Sequence, residues 1–144
     1  GSGSIDISNI NAAVDIQDGS GDIKVTKITG KLVINDGSGE INVRDIIGNV
    51  SIDDGSGEME LADIQGNIDI DDGSGSIYAK NISGSALFAD GSGDMKIREV
   101  SGTVTVDDGS GEIDIKGAGG LKILEAGSGG VKIKNIKGEF EIDS

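Results

Sequence analysis

The sequence predicts an all-β protein, a single-domain β-solenoid of eight coils. Three observations carry that prediction. First, the triplet Gly-Ser-Gly returns at Gly1, Gly19, Gly37, Gly55, Gly73, Gly91, Gly109 and Gly127, always 18 residues apart and without insertion, so eight repeats account for all 144 residues. Second, each repeat holds two short stretches in which apolar and polar residues alternate, the period of a strand with one buried face. Third, 18 residues leave room for two such strands and two corners, too few for a helical repeat or for a propeller blade of about 40 residues. A lone hairpin of this size would have little to pack on. A coil stacked on like coils buries its apolar face against its neighbours. Adjacent coils then pair as parallel strands roughly 4.8 Å apart, which makes a rod of roughly 40 Å.

The elements follow when each repeat is numbered 1 to 18 from its first Gly; the repeats are 1–18, 19–36, 37–54, 55–72, 73–90, 91–108, 109–126 and 127–144. Positions 5 and 7 are apolar, as in Ile23 and Val25, Ile41 and Val43, or Met95 and Ile97, and give the first strand. Position 10 is apolar from Ile10 and Ile28 through to Ile136, and position 12 is usually Gly, so "Ile-x-Gly" marks one corner. Positions 14 and 16, such as Val50 and Ile52 or Val104 and Val106, give the second strand. β-branched residues dominate these sites, as suits strands. The second corner is "Asp-Gly-Ser-Gly".

Two repeats depart from the pattern. In "KGAGGLKILEA" (Lys116 to Ala126) the apolar Leu121 and Ile123 fall one place early while Leu124 keeps the register, and Ala126 replaces the corner Asp. A one-residue slip inverts the faces of a strand, so a local bulge or altered corner is expected there. In "ISGSALFAD" the pair Ala86 and Phe88 reads as a small-for-large exchange that keeps the volume of the layer.

Composition narrows function. There is no Cys and no His, which removes disulfides, thiolate chemistry, the commonest metal ligand and the commonest general base. With no Trp, two Phe and one Tyr, stacking on bases or sugars has little to work with. A net charge of −14 argues against nucleic acid and anionic membranes, and no apolar run is long enough to insert in a bilayer. The chain shows no initiator Met and no signal peptide, which reads as a processed protein or an excised segment.

The Asp-Gly-Ser-Gly corner has a structural and a functional reading. Gly supplies positive φ, and Asp before Gly accepts hydrogen bonds from the turn. That turn chemistry is the first reading. The second is a cation ladder of Asp18, Asp36, Asp54, Asp72, Asp90 and Asp108, joined along one edge by acids at position 17 (Asp53, Asp71, Asp107, Glu125, Asp143) and position 4 (Asp22, Glu40, Glu58, Asp94, Glu112). Calcium would relieve the repulsion of such an edge. The chain lacks the Asp that the nonapeptide of calcium-binding β-rolls places two residues after its last Gly. Phosphate binding at "GSG" is weaker still, since a strand and not a helix N-terminus follows. Lys24, Arg44, Lys80, Lys96, Arg98, Lys116, Lys132 and Lys134 form a basic stripe at positions 6 and 8, read first as a solvated outer face and second as a surface for side-by-side contact. No carboxylate pair stands out as an acid–base couple, so no catalytic residue, cofactor or enzyme activity is expected.

The stretch "VSIDDGSGEMELADIQGNIDIDDGSGSI" (Val50 to Ile77) resembles a bacterial family of adhesin-like solenoids built from D-D-G-S-G-[DE]-I stretches followed by I-x-G, and the resemblance runs over essentially all 144 residues. More distantly the chain is similar to bactofilins, whose Ile- and Gly-rich coils polymerise end to end without nucleotide. The resemblance implies a cell-envelope or extracellular location. Lys122 and Ala126 depart from the repeat. The expected function is a structural rod that associates with itself head to tail, because neither terminal repeat looks like a cap. A calcium-binding adhesin stalk is the alternative, and a designed consensus array is a third.

Overall fold

A computed structural model describes residues 3–143; Gly1, which opens the first repeat, lies outside the described residues, as do Ser2 and Ser144. Over the described residues the chain is a β-solenoid without helices. Each of the first five coils contributes two strands: β1 (Ile5–Ile10) and β2 (Val14–Asp18), β3 (Ile23–Thr29) and β4 (Leu32–Asp36), β5 (Ile41–Ile47) and β6 (Val50–Asp54), β7 (Met59–Gln65) and β8 (Ile68–Asp72), β9 (Ile77–Ile82) and β10 (Ala86–Asp90). In the next two coils pairing continues through the corner, giving β11 (Met95–Ser110) and β12 (Ile113–Ser128), and the last coil supplies β13 (Val131–Ile136) and β14 (Phe140–Ile142). Odd strands stack on odd and even on even, all parallel, in the order β1-β3-β5-β7-β9-β11 and β2-β4-β6-β8-β10-β11, with β12 to β14 closing the array.

The register equals the repeat. Ile23 faces Ile41, Ile41 faces Met59, Met59 faces Ile77 and Ile77 faces Met95. These columns of like residues form one hydrophobic core along the axis. The interior absorbs the fifth repeat as expected: Ala79, Ala86 and Phe88 are all buried in one coil, two small residues beside one large one. Fully burying a side chain of the Ile or Phe class is worth about 1.5–3 kcal/mol, so the columns are the main source of stability.

The bend within the first strand of each coil has a cause the hydrophobic pattern conceals. Position 9 adopts the left-handed conformation in coil after coil: Asn9, Lys27, Asp45, Asp63, Asn81, Glu99 and Asn135 all have φ between 54° and 59°, and Gly117 takes the place in the seventh coil with φ 82°. Asn and Asp tolerate this region better than other side chains with a Cβ. The kink shifts the phase of the alternation. Positions 5 and 7 face inward before it; positions 10, 14, 16 and 18 face inward after it, as Ile28, Leu32, Ile34 and Asp36 do.

Glycine is required where coils touch. Gly57 has φ 131°, and a Cβ there would collide with the carbonyl oxygen of Gly39 in the coil before. Gly48, with φ 143°, meets the carbonyl of Gly30 in the same way. The corners are hydrogen-bonded between coils as well: the Gly37 N–H donates to the Asp18 carbonyl (3.1 Å), and the Gly39 N–H to the Ser56 carbonyl (3.2 Å).

The seventh coil carries the expected bulge. Leu121 pairs with Val104 and Ile123 with Val106, one residue short of the usual spacing, and the register returns at Asp107 and Glu125. Leu121 and Ile123 enter the core columns. The extra residue is Leu124, which keeps the repeat position yet is 43% exposed, so the early pair and not Leu124 holds the interior.

Candidate functional site

The acids at the Asp-Gly-Ser-Gly corner divide into two groups. Position 17 acids, such as Asp53, Asp71 and Asp107, are exposed, as are Asp22, Glu40, Glu58, Asp94 and Glu112 at position 4. Position 18 is different. Asp36, Asp54, Asp72, Asp90 and Asp108 are between 1% and 5% exposed. The expectation of one solvated acidic edge is therefore corrected: the position 18 column lies inside the coil. The phase of the strand explains it, because positions 14, 16 and 18 share one face. Asp18, at the end of the rod, is half-buried.

The column is continuous. Asp18 faces Asp36, and the pairing continues through Asp54, Asp72, Asp90 and Asp108 until it meets Ala126. Each carboxylate closes its own turn. Oδ1 of Asp36 accepts from the Ser38 N–H at 3.3 Å, Asp54 from Ser56 at 3.3 Å, Asp72 from Ser74 at 3.2 Å, Asp90 from Ser92 at 3.1 Å and Asp108 from Ser110 at 3.0 Å. In the terminal turn the Gly19 N–H donates to Asp18 Oδ1 at 2.9 Å. The turn reading of the corner thus holds. The second oxygen has another fate: Oδ2 of Asp36, Asp54, Asp72 and Asp90 is buried and accepts no hydrogen bond.

Electrostatics follow from this placement. Burial pushes the Asp72 carboxyl up to about 7, and the charges of Asp90 and Asp54 in the flanking coils add to it, against the Ser74 and Gly73 N–H groups that favour the anion. Burial likewise raises Asp54 and Asp90 to about 6, opposed by the Ser56 and Ser92 N–H groups and reinforced by Asp36 and Asp108 respectively. Asp36 and Asp108 are raised from their ordinary value, again mainly by burial. Two charges at the strand spacing of roughly 4.8 Å repel by about 3.5 kcal/mol at an effective dielectric constant of 20, several times their repulsion in water.

Outside, acids and amides do structural work. Asp22 Oδ1 accepts from the Glu40 N–H (3.2 Å) and Asp94 Oδ1 from the Glu112 N–H (3.1 Å), linking coil to coil. Asn49 and Asn67 accept in the same manner from the Asn67 and Ser85 N–H groups (3.0 and 2.9 Å). On the basic stripe, Arg44 pairs with Glu60 at 3.3 Å, and Arg98 grips Asp114 through its Nη1 and Nη2 groups at 3.3 and 3.0 Å. The other stripe residues, Lys24, Lys80, Lys96, Lys116, Lys132 and Lys134, are exposed. Such pairs at the surface add little stability. The left-handed kink opens a shallow lengthwise groove of about 1030 Å³ between the position 9 and position 11 side chains, Asn81 and Ser83 among them.

Among the described residues, no three His, Cys, Asp or Glu side chains converge as a metal cage does; the inner aspartates stand in single file. Adjacent acids such as Asp71 and Asp72 do have unequal environments, but they point to opposite faces of their strand and share no substrate space.

Fold and column together define a β-solenoid repeat protein with an internal acid ladder. No protein-family model, curated protein or solved structure matches the chain.

Proposed function

We propose that the protein is a non-enzymatic structural element, a β-solenoid rod that stacks head to tail on copies of itself at the bacterial surface or outside the cell. The observation that carries this reading is the state of the two ends. Strands β1 and β2 at one end, and β13 and β14 at the other, pair on one side only among the described residues. Core positions that are sealed inside the rod are open there: Ile10 is 36% exposed, Val131 38%, Phe140 52% and Ile142 45%. The last coil offers Val131, Ile133, Ile136, Phe140 and Ile142 at the positions where the first offers Ile5, Ile7, Ile10, Val14 and Ile16. A second copy seated on the last coil would extend the apolar columns without a change of register. Such an edge is a template for strand pairing.

Electron microscopy of the purified chain tests the reading. Unbranched filaments one solenoid wide are expected, growing longer with concentration. The double variant Phe140→Lys, Ile142→Lys would shorten them to single rods without loss of the β-sheet circular dichroism spectrum. Monodisperse single rods of the unaltered chain at high concentration would contradict it. Filaments that form only with millimolar calcium would favour a calcium-dependent adhesin stalk, its cation held by the exposed acids of positions 17 and 4.

A further inference from the structure

A carboxylate inside a protein is costly to keep charged without a cation beside it. The inner column meets that condition five times over. Among the described residues, the charged groups that act most on it are acidic: Asp18 and Asp22 on Asp36, Asp36 and Asp53 on Asp54, Asp90 and Asp54 on Asp72, Asp108 on Asp90, and Asp107 and Asp94 on Asp108. The ion-paired arginines Arg44 and Arg98 are engaged with Glu60 and Asp114 of the following coil. Each Oδ1 is occupied by its Ser N–H, while Oδ2 of Asp36, Asp54, Asp72 and Asp90 meets no donor. A proton on that oxygen removes the charge and turns an orphaned acceptor into a donor toward the next carboxyl. A calcium ion, which needs six to eight oxygens around it, suits a single file of buried aspartates poorly.

We propose that the column Asp36, Asp54, Asp72, Asp90 and Asp108 is a proton-binding ladder, in which neighbouring carboxyls share protons through Oδ2 and the rod is held more tightly in mild acid than at neutral or alkaline pH. Placing protons on alternate rungs leaves no two charges adjacent. The direction follows from linkage. These groups keep protons in the native state that the unfolded chain, at the ordinary value of 3.8, has already released. Their contribution is therefore complete below pH of about 4 and is lost as pH rises through about 6 to 7.

The test is the melting temperature of the full chain from pH 4 to pH 9, beside Asp72→Asn and, as an outer control, Asp71→Asn. A fall in melting temperature between pH 5 and 8 is expected, reduced by at least about a third in Asp72→Asn and unchanged in Asp71→Asn. A flat profile, or equal slopes in all three proteins, would overturn the proposal. So would abolition of the slope by millimolar calcium or by sodium, which would make the ladder a cation site. Should Asp72→Asn fail to fold, heat unfolding of the unaltered chain in weak buffer at pH 6 decides: release of about one proton or more per molecule is expected, and no release, or uptake, would refute it.

Discussion

Asp71 and Asp72 are neighbours in sequence, alike in chemistry and opposite in circumstance. Asp71 is solvated on the outer face; Asp72 is 2% exposed, closes a turn with one oxygen and holds the other without a partner. The same partition separates Leu87, 43% exposed, from Phe88, fully buried, and Leu124 from Ile123. What this teaches is that in a stacked coil the face, more than the residue type, decides what a side chain does. Repetition then multiplies the decision into a column.

The partition can be broken most severely at the largest interior side chain. Phe88→Ala should cost about 3–5 kcal/mol in denaturant unfolding, against less than about 0.5 kcal/mol for Leu87→Ala. Equal costs would mean that the strand is not one-sided. The bulge offers the next contrast: Ile123→Ala should cost about 2–5 kcal/mol, and Leu124→Ala close to nothing. The reverse order would show that Leu124 fills the column in solution. At the corner, Gly57→Ala should lose more than about 1 kcal/mol, because positive φ and contact with the Gly39 carbonyl both oppose a Cβ. The smallest effect belongs to the acids. Asp72→Ala at pH 5 should cost about 1–3 kcal/mol through the orphaned Ser74 N–H, while Asp71→Ala should stay within about 0.5 kcal/mol.

The fold was legible in the sequence because stacking makes every coil restate the same pattern. The strands, the register of 18 and the irregular seventh coil all follow from the Gly-Ser-Gly spacing and the apolar positions, with Leu121 and Ile123 already marking the slip. Two features are harder to read. Asp72 and its equivalents read as exposed acids because carboxylates are seldom buried, yet the alternation of Ile68, Ile70 and Asp72 places them on the inner face. The left-handed residue at position 9 was overlooked because it carries no hydrophobic signal. Its mark was the recurrence of Asn and Asp at Asn9, Asp45, Asp63, Asn81 and Asn135, one place before a buried Ile. Function was least legible, since a column of carboxylates reads alike whether it faces water, a cation or its own copies.

Carbon-detected nuclear magnetic resonance of the aspartate side-chain carboxyls observes the buried ladder itself. In the folded chain, the resonances of Asp54, Asp72 and Asp90 should titrate with midpoints near 6 to 7, broadened by their coupling to one another. Titration of every aspartate within the ordinary carboxylate range would contradict the account and return the column to the solvated edge.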